Sequence, residues 1–166
     1  MTVLIFSLIR NLSAAEINNG FDLSDPLIPS EEILHGQPPR DGIPAIDHPC
    51  FITAKHVKFL KKQDRILGIE RNGILKTYPI RILDYHEIVN DQFGKEAIVF
   101  TYYPLCGTGM AFKATVSGIN LNFGVSGLLY NSDVLLYDRN TRSLWSQIKS
   151  QAISGTLKGK RLTQMG

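Results

Sequence analysis

Short apolar runs separated by turn-forming residues constrain the fold of this chain more than any other feature. Asn72-Gly73 stands between two such runs, and both residues tolerate the positive φ angles of a tight turn. It therefore predicts a β-hairpin, and similar patterns predict turns at 90–94, 117–120 and 139–142. Several short strands at close spacing favour a mainly β fold with α+β margins. We expect an antiparallel sandwich or a small barrel built from hairpins, with a few short helices.

The positions of the turns also predict which runs pair. Runs that follow one another along the chain are expected to lie side by side and antiparallel. The second, third and fourth hairpins would join 85–89 to 97–102, 110–116 to 121–125, and 133–138 to 143–148.

Three segments predict short helices at the margins of the sheets. Ser30 can cap a helical turn that ends at Gly36, because its side chain can accept hydrogen bonds from free backbone N–H groups. A second helix is expected over residues 54–62. Pro79 ends the strand before it and can begin a helical turn that runs to Leu83.

The composition fits one globular domain, because 43% of the 166 residues are hydrophobic and 20% are charged. Residues 16–50 contain closely spaced prolines and predict an extended arm, whereas residues 51–166 predict a β-rich domain. The net charge of +3 is modest. The densest basic cluster, residues 55–65, is more typical of a solvated helix face than of a surface for nucleic acid or an anionic membrane. We therefore expect no nucleic-acid partner, and the oligomeric state stays open.

The N-terminus predicts a signal peptide over residues 1–15. An apolar run from Val3 to Ile9 is followed by the small residues Ser13-Ala14-Ala15, which suit an export peptidase. Arg10 interrupts the pattern and no basic residue precedes the run, so a packed N-terminal helix is the alternative. The run is too short for a transmembrane span. We expect an extracytoplasmic protein, either periplasmic or secreted.

The loop around Cys106 is the candidate site. Glycines follow the thiol, and their backbone N–H groups can approach a bound anion or oxyanion without obstruction. A nucleophilic thiol needs a base, and the second hairpin is expected to bring His86 to the same end of the sheet. Cys106 and His86 are therefore the candidate catalytic pair. The alternative is that Cys106 is only a structural thiol in a turn. Whether it pairs with Cys50 in a disulfide is left open by the sequence.

Metal binding is the rival hypothesis for the same loop. Cys106, His86 and Met110 offer soft ligands, so a soft metal such as copper is the candidate cofactor. Three functions stay open: a pocket for a small-molecule or metal ligand, a thiol-dependent enzyme, and a structural or partner-binding module. Four polar residues in the loops are further candidates for ligand binding: Thr108, Ser126, Asn131 and Asp133.

Several motifs in order resemble domain-of-unknown-function family 3179 (DUF3179), a group of largely exported prokaryotic proteins. The resemblance covers roughly residues 29–162; it implies a location outside the cytoplasm and no particular activity. Family members usually read Thr-Tyr-Cys-Pro-Leu-Cys-Gly, whereas this chain has Tyr103 at the first cysteine, so a role that needs two thiols is in doubt. They also usually continue beyond this region, which allows the chain to be a truncated form. The motifs are 41–46, 78–83, 86–91, 104–108, 123–133, 137–139 and 143–147.

Overall fold

The computed structural model describes residues 17–165, which form a mainly β, antiparallel fold. The signal peptide predicted over residues 1–15 lies outside the described residues and stays a prediction. No helix among residues 17–165 is long and apolar enough to cross a membrane.

The described residues contain fifteen strands and one short α-helix, α1 (Ile80–Leu83). The strands before α1 are β1 (Ile17–Asn18), β2 (Phe21–Asp22), β3 (Ile33–His35), β4 (Ile66–Arg71) and β5 (Ile74–Pro79). The strands after it are β6 (Ile88–Phe93), β7 (Glu96–Tyr103), β8 (Thr108–Lys113), β9 (Thr115–Val116), β10 (Ile119–Asn120), β11 (Phe123–Tyr130), β12 (Asp133–Asp138), β13 (Leu144–Ser146), β14 (Gln151–Ser154) and β15 (Thr163–Gln164).

Two sheets form the centre of the fold. Sheet I has the strand order β15-β8-β7-β6, and sheet II has the order β14-β13-β12-β11-β3. A core of buried apolar side chains from both sheets lies between them, including Val99, Phe112, Phe123 and Trp145. The prediction of a mainly β antiparallel fold is confirmed, and over the described residues neither sheet closes into a barrel.

Each sheet is also covered on its outer face. The β4–β5 hairpin and α1 cover sheet I, with Tyr78 and Leu83 packed against Phe100. Residues of the N-terminal arm, including Phe21 and Ile28, cover sheet II. Strands that are buried on both faces read as continuous apolar runs rather than as an alternation of apolar and polar residues. This explains the continuous apolar runs 97–100 in β7 and 134–137 in β12.

The turn at Asn72-Gly73 is confirmed. Both residues have positive φ, 53° and 72°, and they connect β4 to β5 in an antiparallel pair. The turn around Asn140-Thr141 likewise connects β12 to β13. The hairpin of β6 and β7 is also present, but its turn lies at Gly94 rather than over residues 90–94, because β6 continues to Phe93.

The third predicted hairpin is only partly correct. Ser117 and Gly118 form a tight turn, but it pairs only the two-residue strands β9 and β10. The longer strands on either side separate: β8 pairs with β7 in sheet I, and β11 pairs with β12 and β3 in sheet II. Turn chemistry is local, whereas the sheet that a strand joins depends on distant partners.

Two of the three predicted helices are largely wrong. Residues 30–32 form one 3-10 turn without a cap from Ser30, and Ile33–His35 then become β3 because the edge of β11 offers backbone partners. Residues 54–56 form another 3-10 turn, and no helix continues to residue 62. The helical turn that begins after Pro79 and ends at Leu83 is confirmed as α1.

The arm runs along the seam between the edge of β6 and residues 123–127 of β11, the part of β11 that β3 does not pair. The N–H of Gly36 donates to the Gly127 carbonyl at 2.8 Å, and that of Asp41 donates to Val125 at 2.9 Å. Ile46 pairs with Val89 on the other side of the seam. Gly127 has a φ of 75°, and a Cβ there would collide with the Pro38 carbonyl oxygen, so this close approach requires glycine.

Asn90 joins the two sheets directly. Its side-chain Nδ2 donates to the Phe123 carbonyl at 2.8 Å, and its Oδ1 accepts from the Phe123 N–H at 2.9 Å. Nδ2 also donates to Asp47 of the arm at 2.8 Å. One buried amide on β6 therefore satisfies both backbone groups at the start of β11.

We expect Asn90→Ala to lower the free energy of unfolding by about 2–4 kcal/mol, because it leaves the buried N–H and C=O groups of Phe123 without partners. Urea unfolding followed by circular dichroism measures this change in the free energy of unfolding. Asn122→Ala is the matched control, because the side chain of Asn122 is exposed and makes none of these bonds. Equal losses in the two variants would contradict the role assigned to Asn90.

Candidate functional site

The loop at 104–107 connects β7 to β8 and carries Cys106. Tyr103 and Thr108 form the last pair of the two strands, and the N–H of Gly107 donates to the Tyr103 carbonyl at 2.8 Å. Gly107 has a φ of 68°, a conformation that glycine adopts without strain. This tight turn leaves Cys106 exposed at the end of sheet I.

The Cys106 thiol contacts groups from both sheets. Its Sγ lies 2.8 Å from the Thr108 hydroxyl and 3.5 Å from Oδ1 of Asp133. Asp133 begins β12 directly after a two-residue turn, Asn131-Ser132, in which both residues have positive φ. The β11–β12 turn of sheet II therefore meets the β7–β8 loop of sheet I at Cys106.

Two buried oxygens near this junction have no hydrogen-bond donor among the described residues. They are Oδ2 of Asp133 and Oε1 of Gln147. The amide nitrogen of Gln147 donates to the Thr108 carbonyl at 3.4 Å, which places this side chain against the same loop. Buried polar atoms are normally paired, so each of these two oxygens can still accept a hydrogen bond from a ligand or a water.

Burial raises the pKa of Asp133, because a desolvated carboxylate is less stable than a carboxylic acid. Hydrogen bonds from the Cys106 thiol and from the N–H groups of Val134 and Ile148 oppose part of this effect. Asp133 is therefore an acid whose proton is held more tightly than usual, beside a thiol.

A mainly apolar cavity of about 240 Å³ adjoins the junction. The arm, β11 and the β7–β8 loop form its walls, so it lies on the seam between the two sheets. Its lining consists of Gly36, Pro38, Ile43, Glu87, Tyr103, Pro104, Leu105, Val125, Gly127, Leu128, Leu129 and Val134.

Glu87 supplies the only carboxyl group among the described residues that line this cavity. The residue is 6% exposed, and burial raises its pKa to about 7. No hydrogen bond to its carboxyl group occurs within residues 17–165. The chain positions Glu87 by a sharp reversal after α1, with a φ of 57° and its N–H bonded to the Leu83 carbonyl at 2.8 Å.

Tyr103 links the cavity to the thiol. Burial raises the pKa of its phenol, and the charges of Glu87, Cys106 and Asp133 add to this effect. The phenol is therefore neutral at physiological pH and lies within electrostatic range of all three groups. Glu87, Tyr103, Cys106, Asp133 and Gln147 together form what we call the junction site.

His86 has a different partner from the one expected. Its Nδ1 lies 2.8 Å from the Pro44 carbonyl of the arm, and no hydrogen bond joins it to Cys106 within the described residues. The titratable side chain that the Cys106 thiol does contact is that of Asp133. The catalytic pairing of Cys106 with His86 stays a prediction, and Asp133 is the better-placed proton acceptor.

The predicted soft-metal site also stays a prediction. Met110 is half-buried in β8 and packs against the core between the sheets. Within residues 17–165, no three side chains from His, Cys, Asp and Glu are grouped as a metal centre would require. Cys50 and Cys106 are both free and exposed.

The other predicted ligand-binding residues differ in position. Thr108 and Asp133 lie at the junction. Ser126 is fully buried, and its hydroxyl donates to the Leu135 carbonyl and accepts from the Leu128 N–H, which stabilises a β-bulge in β11. Asn131 is exposed in the turn before β12. Neither Ser126 nor Asn131 lines the cavity.

Comparison with known families agrees with the sequence motifs. A family model described as Protein of unknown function (DUF3179) matches residues 40–166. The chain belongs to the DUF3179 family. No curated protein and no solved structure matches it.

The sequence did not indicate the roles of three members of this DUF3179 junction site. Glu87 was not expected to line a cavity, because its positive φ breaks the alternation that precedes β6. Tyr103 and Gln147 continue buried strands, and the parity of β7 places Tyr103 on the same face as Val99, towards the core between the sheets. The alternation of side chains along β7 was therefore the sequence feature that could have predicted that Tyr103 faces the core.

We expect the stability of this DUF3179 protein to fall as pH rises from about 4.5 to about 7. In this window the unfolded chain has released the Glu87 proton, whereas the folded chain, whose Glu87 pKa is about 7, still holds it. Glu87→Gln should remove the contribution of Glu87 to this dependence, while the raised pKa of Asp133 contributes separately. The substitution should raise the free energy of unfolding at pH 8 by about 2–3 kcal/mol and change it little at pH 4.

Urea unfolding at a series of pH values measures this effect, with Glu70→Gln as the control because Glu70 is exposed in β4. A Glu87→Gln variant with the same pH profile as the parent protein would contradict the assignment of a buried, unpaired carboxyl.

Proposed function

We propose that this protein binds a small organic molecule with an apolar body and a hydrogen-bond-donating head, such as an amine or an alcohol. The observation that carries the proposal is Glu87, a residue that is only 6% exposed, lines an apolar cavity and has no hydrogen bond to its carboxyl group among the described residues. Ligand sites commonly combine an apolar lining with a few polar groups that fix the orientation of the ligand.

Electrostatics favour a ligand with a hydrogen-bond-donating head over an anionic ligand. A ligand carboxylate or phosphate would lie beside Glu87 and near Asp133, and like charges in a poorly solvated site repel strongly. A protonated amine would instead stabilise the ionised form of Glu87. An alcohol could donate to the carboxylate or accept from the carboxylic acid, because the pKa of about 7 makes both forms available.

The volume favours a small ligand. At about 240 Å³ the cavity lies just below the range of about 300–1,000 Å³ that is usual for sites of drug-sized ligands. The unpaired oxygens of Asp133 and Gln147 lie beside the same loop and would suit a second donor on the ligand. A short branched or cyclic amine, or an amino alcohol, meets these conditions.

Binding of matched probes tests the proposal. Isoamylamine, isoamyl alcohol and isovalerate share a branched apolar body and differ in their heads, and ligand-observed NMR at pH 7 measures their binding. We expect the amine to bind best and the carboxylate not to bind. Glu87→Gln should weaken amine binding by about tenfold and affect the alcohol less, because it removes the charge and keeps the shape.

Ile119→Ser is the control, because Ile119 is exposed in β10 and does not line the cavity. Binding of isovalerate as tight as that of isoamylamine, or amine binding unchanged in Glu87→Gln, would contradict the proposal.

A thiol-dependent enzyme is the second candidate. One observation favours it: the exposed Cys106 thiol contacts Asp133, whose raised pKa makes it a better proton acceptor than an ordinary carboxylate. In this candidate Asp133 takes the thiol proton, the Cys106 sulfur adds to a carbonyl carbon bound at the junction, and the π electron pair of the C=O bond moves to the carbonyl oxygen. The neutral Tyr103 phenol can donate a hydrogen bond to that oxyanion.

Cys50 provides an internal reference for this candidate, because it is also free and exposed. The candidate predicts that Cys106 in a Cys50→Ser variant reacts with iodoacetamide at pH 7 at least roughly tenfold faster than Cys50 in a Cys106→Ser variant. It also predicts that Asp133→Asn slows the reaction of Cys106. Equal rates for the two thiols, measured by mass spectrometry, would remove the candidate and leave ligand binding.

A further inference from the structure

A second surface, independent of the junction site, combines positive charge with exposed apolar side chains. It is the segment from His48 to Gln63, which we call the basic loop. The segment contains four lysines and no acidic residue, in a chain whose net charge is only +3. Apart from one 3-10 turn at 54–56 it has no regular structure, and most of its side chains are exposed.

The four lysines of the basic loop are electrostatically unneutralised. None of their ammonium groups makes a hydrogen bond or an ion pair within the described residues. Elsewhere in the described part of the chain, Lys76, Lys113 and Lys158 pair with carboxylates, whereas Lys95, Lys149 and Lys160 do not but are not clustered along the chain as the loop lysines are. Two acids flank the loop. Asp64 accepts a hydrogen bond from the Lys61 backbone N–H at 2.8 Å and lies 3.7 Å from Arg81, and Asp47 pairs with Arg139 at 2.7 Å, so neither pairs with a loop ammonium group. The four lysines are Lys55, Lys58, Lys61 and Lys62.

Large apolar side chains lie between these charges. Ile52 is 57% exposed and Phe59 is 49% exposed, which is high for side chains of their size. Phe51 is also exposed, but one face of its ring meets Tyr78 edge-on and Lys76 lies over it at 4.5 Å. Phe51 therefore anchors the loop, while Ile52 and Phe59 project from it.

The loop is held against the domain at its other end as well. The Phe59 carbonyl accepts a hydrogen bond from Arg81 of α1 at 3.0 Å, and Arg65 donates to the Tyr102 hydroxyl at 3.3 Å. The loop thus presents its charges and apolar side chains from fixed points, so that little ordering is needed when a partner binds.

We propose that the basic loop docks the protein onto an anionic lipid surface. Unpaired lysines are attracted to negatively charged headgroups, and apolar side chains among them insert at the boundary between headgroups and acyl chains. The positive charge of the basic loop favours an anionic partner. The exposed aliphatic side chain of Ile52 favours a lipid surface over nucleic acid, because nucleic acid offers no apolar layer into which it could insert. The exposed cations are lysines, which suit lipid headgroups as point charges; the two arginines beside the loop are already bonded to the domain.

Sedimentation with lipid vesicles tests the proposal on the full chain. We expect binding to vesicles of phosphatidylcholine mixed with phosphatidylglycerol, little binding to phosphatidylcholine alone, and weaker binding as sodium chloride is raised. The double variant Lys58→Glu/Lys61→Glu should lower the affinity at least roughly tenfold. Phe59→Trp should show a blue shift in fluorescence with anionic vesicles, against the constant background of the buried Trp145.

Lys95→Glu/Lys160→Glu is the matched control, because both lysines are exposed, lie outside the basic loop and make no ion pair within residues 17–165. Equal losses of vesicle affinity in the two double variants would overturn the proposal, as would equal binding to neutral and anionic vesicles.

Tighter binding to a double-stranded DNA oligonucleotide than to the anionic vesicles would indicate nucleic acid as the partner instead of a lipid surface. The absence of a fluorescence shift in Phe59→Trp would show that residue 59 does not insert into the lipid surface, and this would overturn the proposal. Melting curves of each variant verify that the fold is kept.

Discussion

The pairing of the Asn90 side chain with both backbone groups of Phe123 is the interaction on which the rest of the structure depends. Among residues 17–165, β6 is the last strand of sheet I, and β11 enters sheet II at Phe123. The amide brings these two strands together although they belong to different sheets. The arm then follows the seam and bonds to both edges through Gly36, Asp41 and Ile46. The cavity results from this arrangement of the arm and the two sheets. It lies where the arm and β11 face the chain just before β6.

The sequence predicted the features that depend on near neighbours. Asn72-Gly73 and the loop around Asn140 form turns because a few residues set the backbone angles there. Features that depend on distant partners were missed. Ile33–His35 become a strand only because β11 lies beside them, and the runs on the two sides of Ser117 part because each is buried in a different sheet. Local pattern does not contain that information.

The same distinction applies to the candidate site. Cys106 and Thr108 were predicted from a thiol among turn residues, and they share one loop in the structure. Asp133 was predicted only as a polar loop residue, and its contact with the thiol arises because two hairpin ends from different sheets meet. Glu87 was not predicted as a cavity residue, because its positive φ reverses the direction that strand alternation would give it. The junction site therefore combines the predicted thiol with two carboxyl groups, and the predicted soft-metal site stays a prediction.

The central claim is that Glu87 is an unpaired acid in a ligand cavity. The most direct measurement is a ¹³C NMR titration of its side-chain carboxyl carbon, assigned by comparison with Glu87→Gln. The account predicts a midpoint near pH 7 in the free protein, because burial raises the pKa of this group to about 7, and a lower midpoint when isoamylamine is present. A midpoint near 4.5, the ordinary value for glutamate, that does not move with the amine would contradict the account.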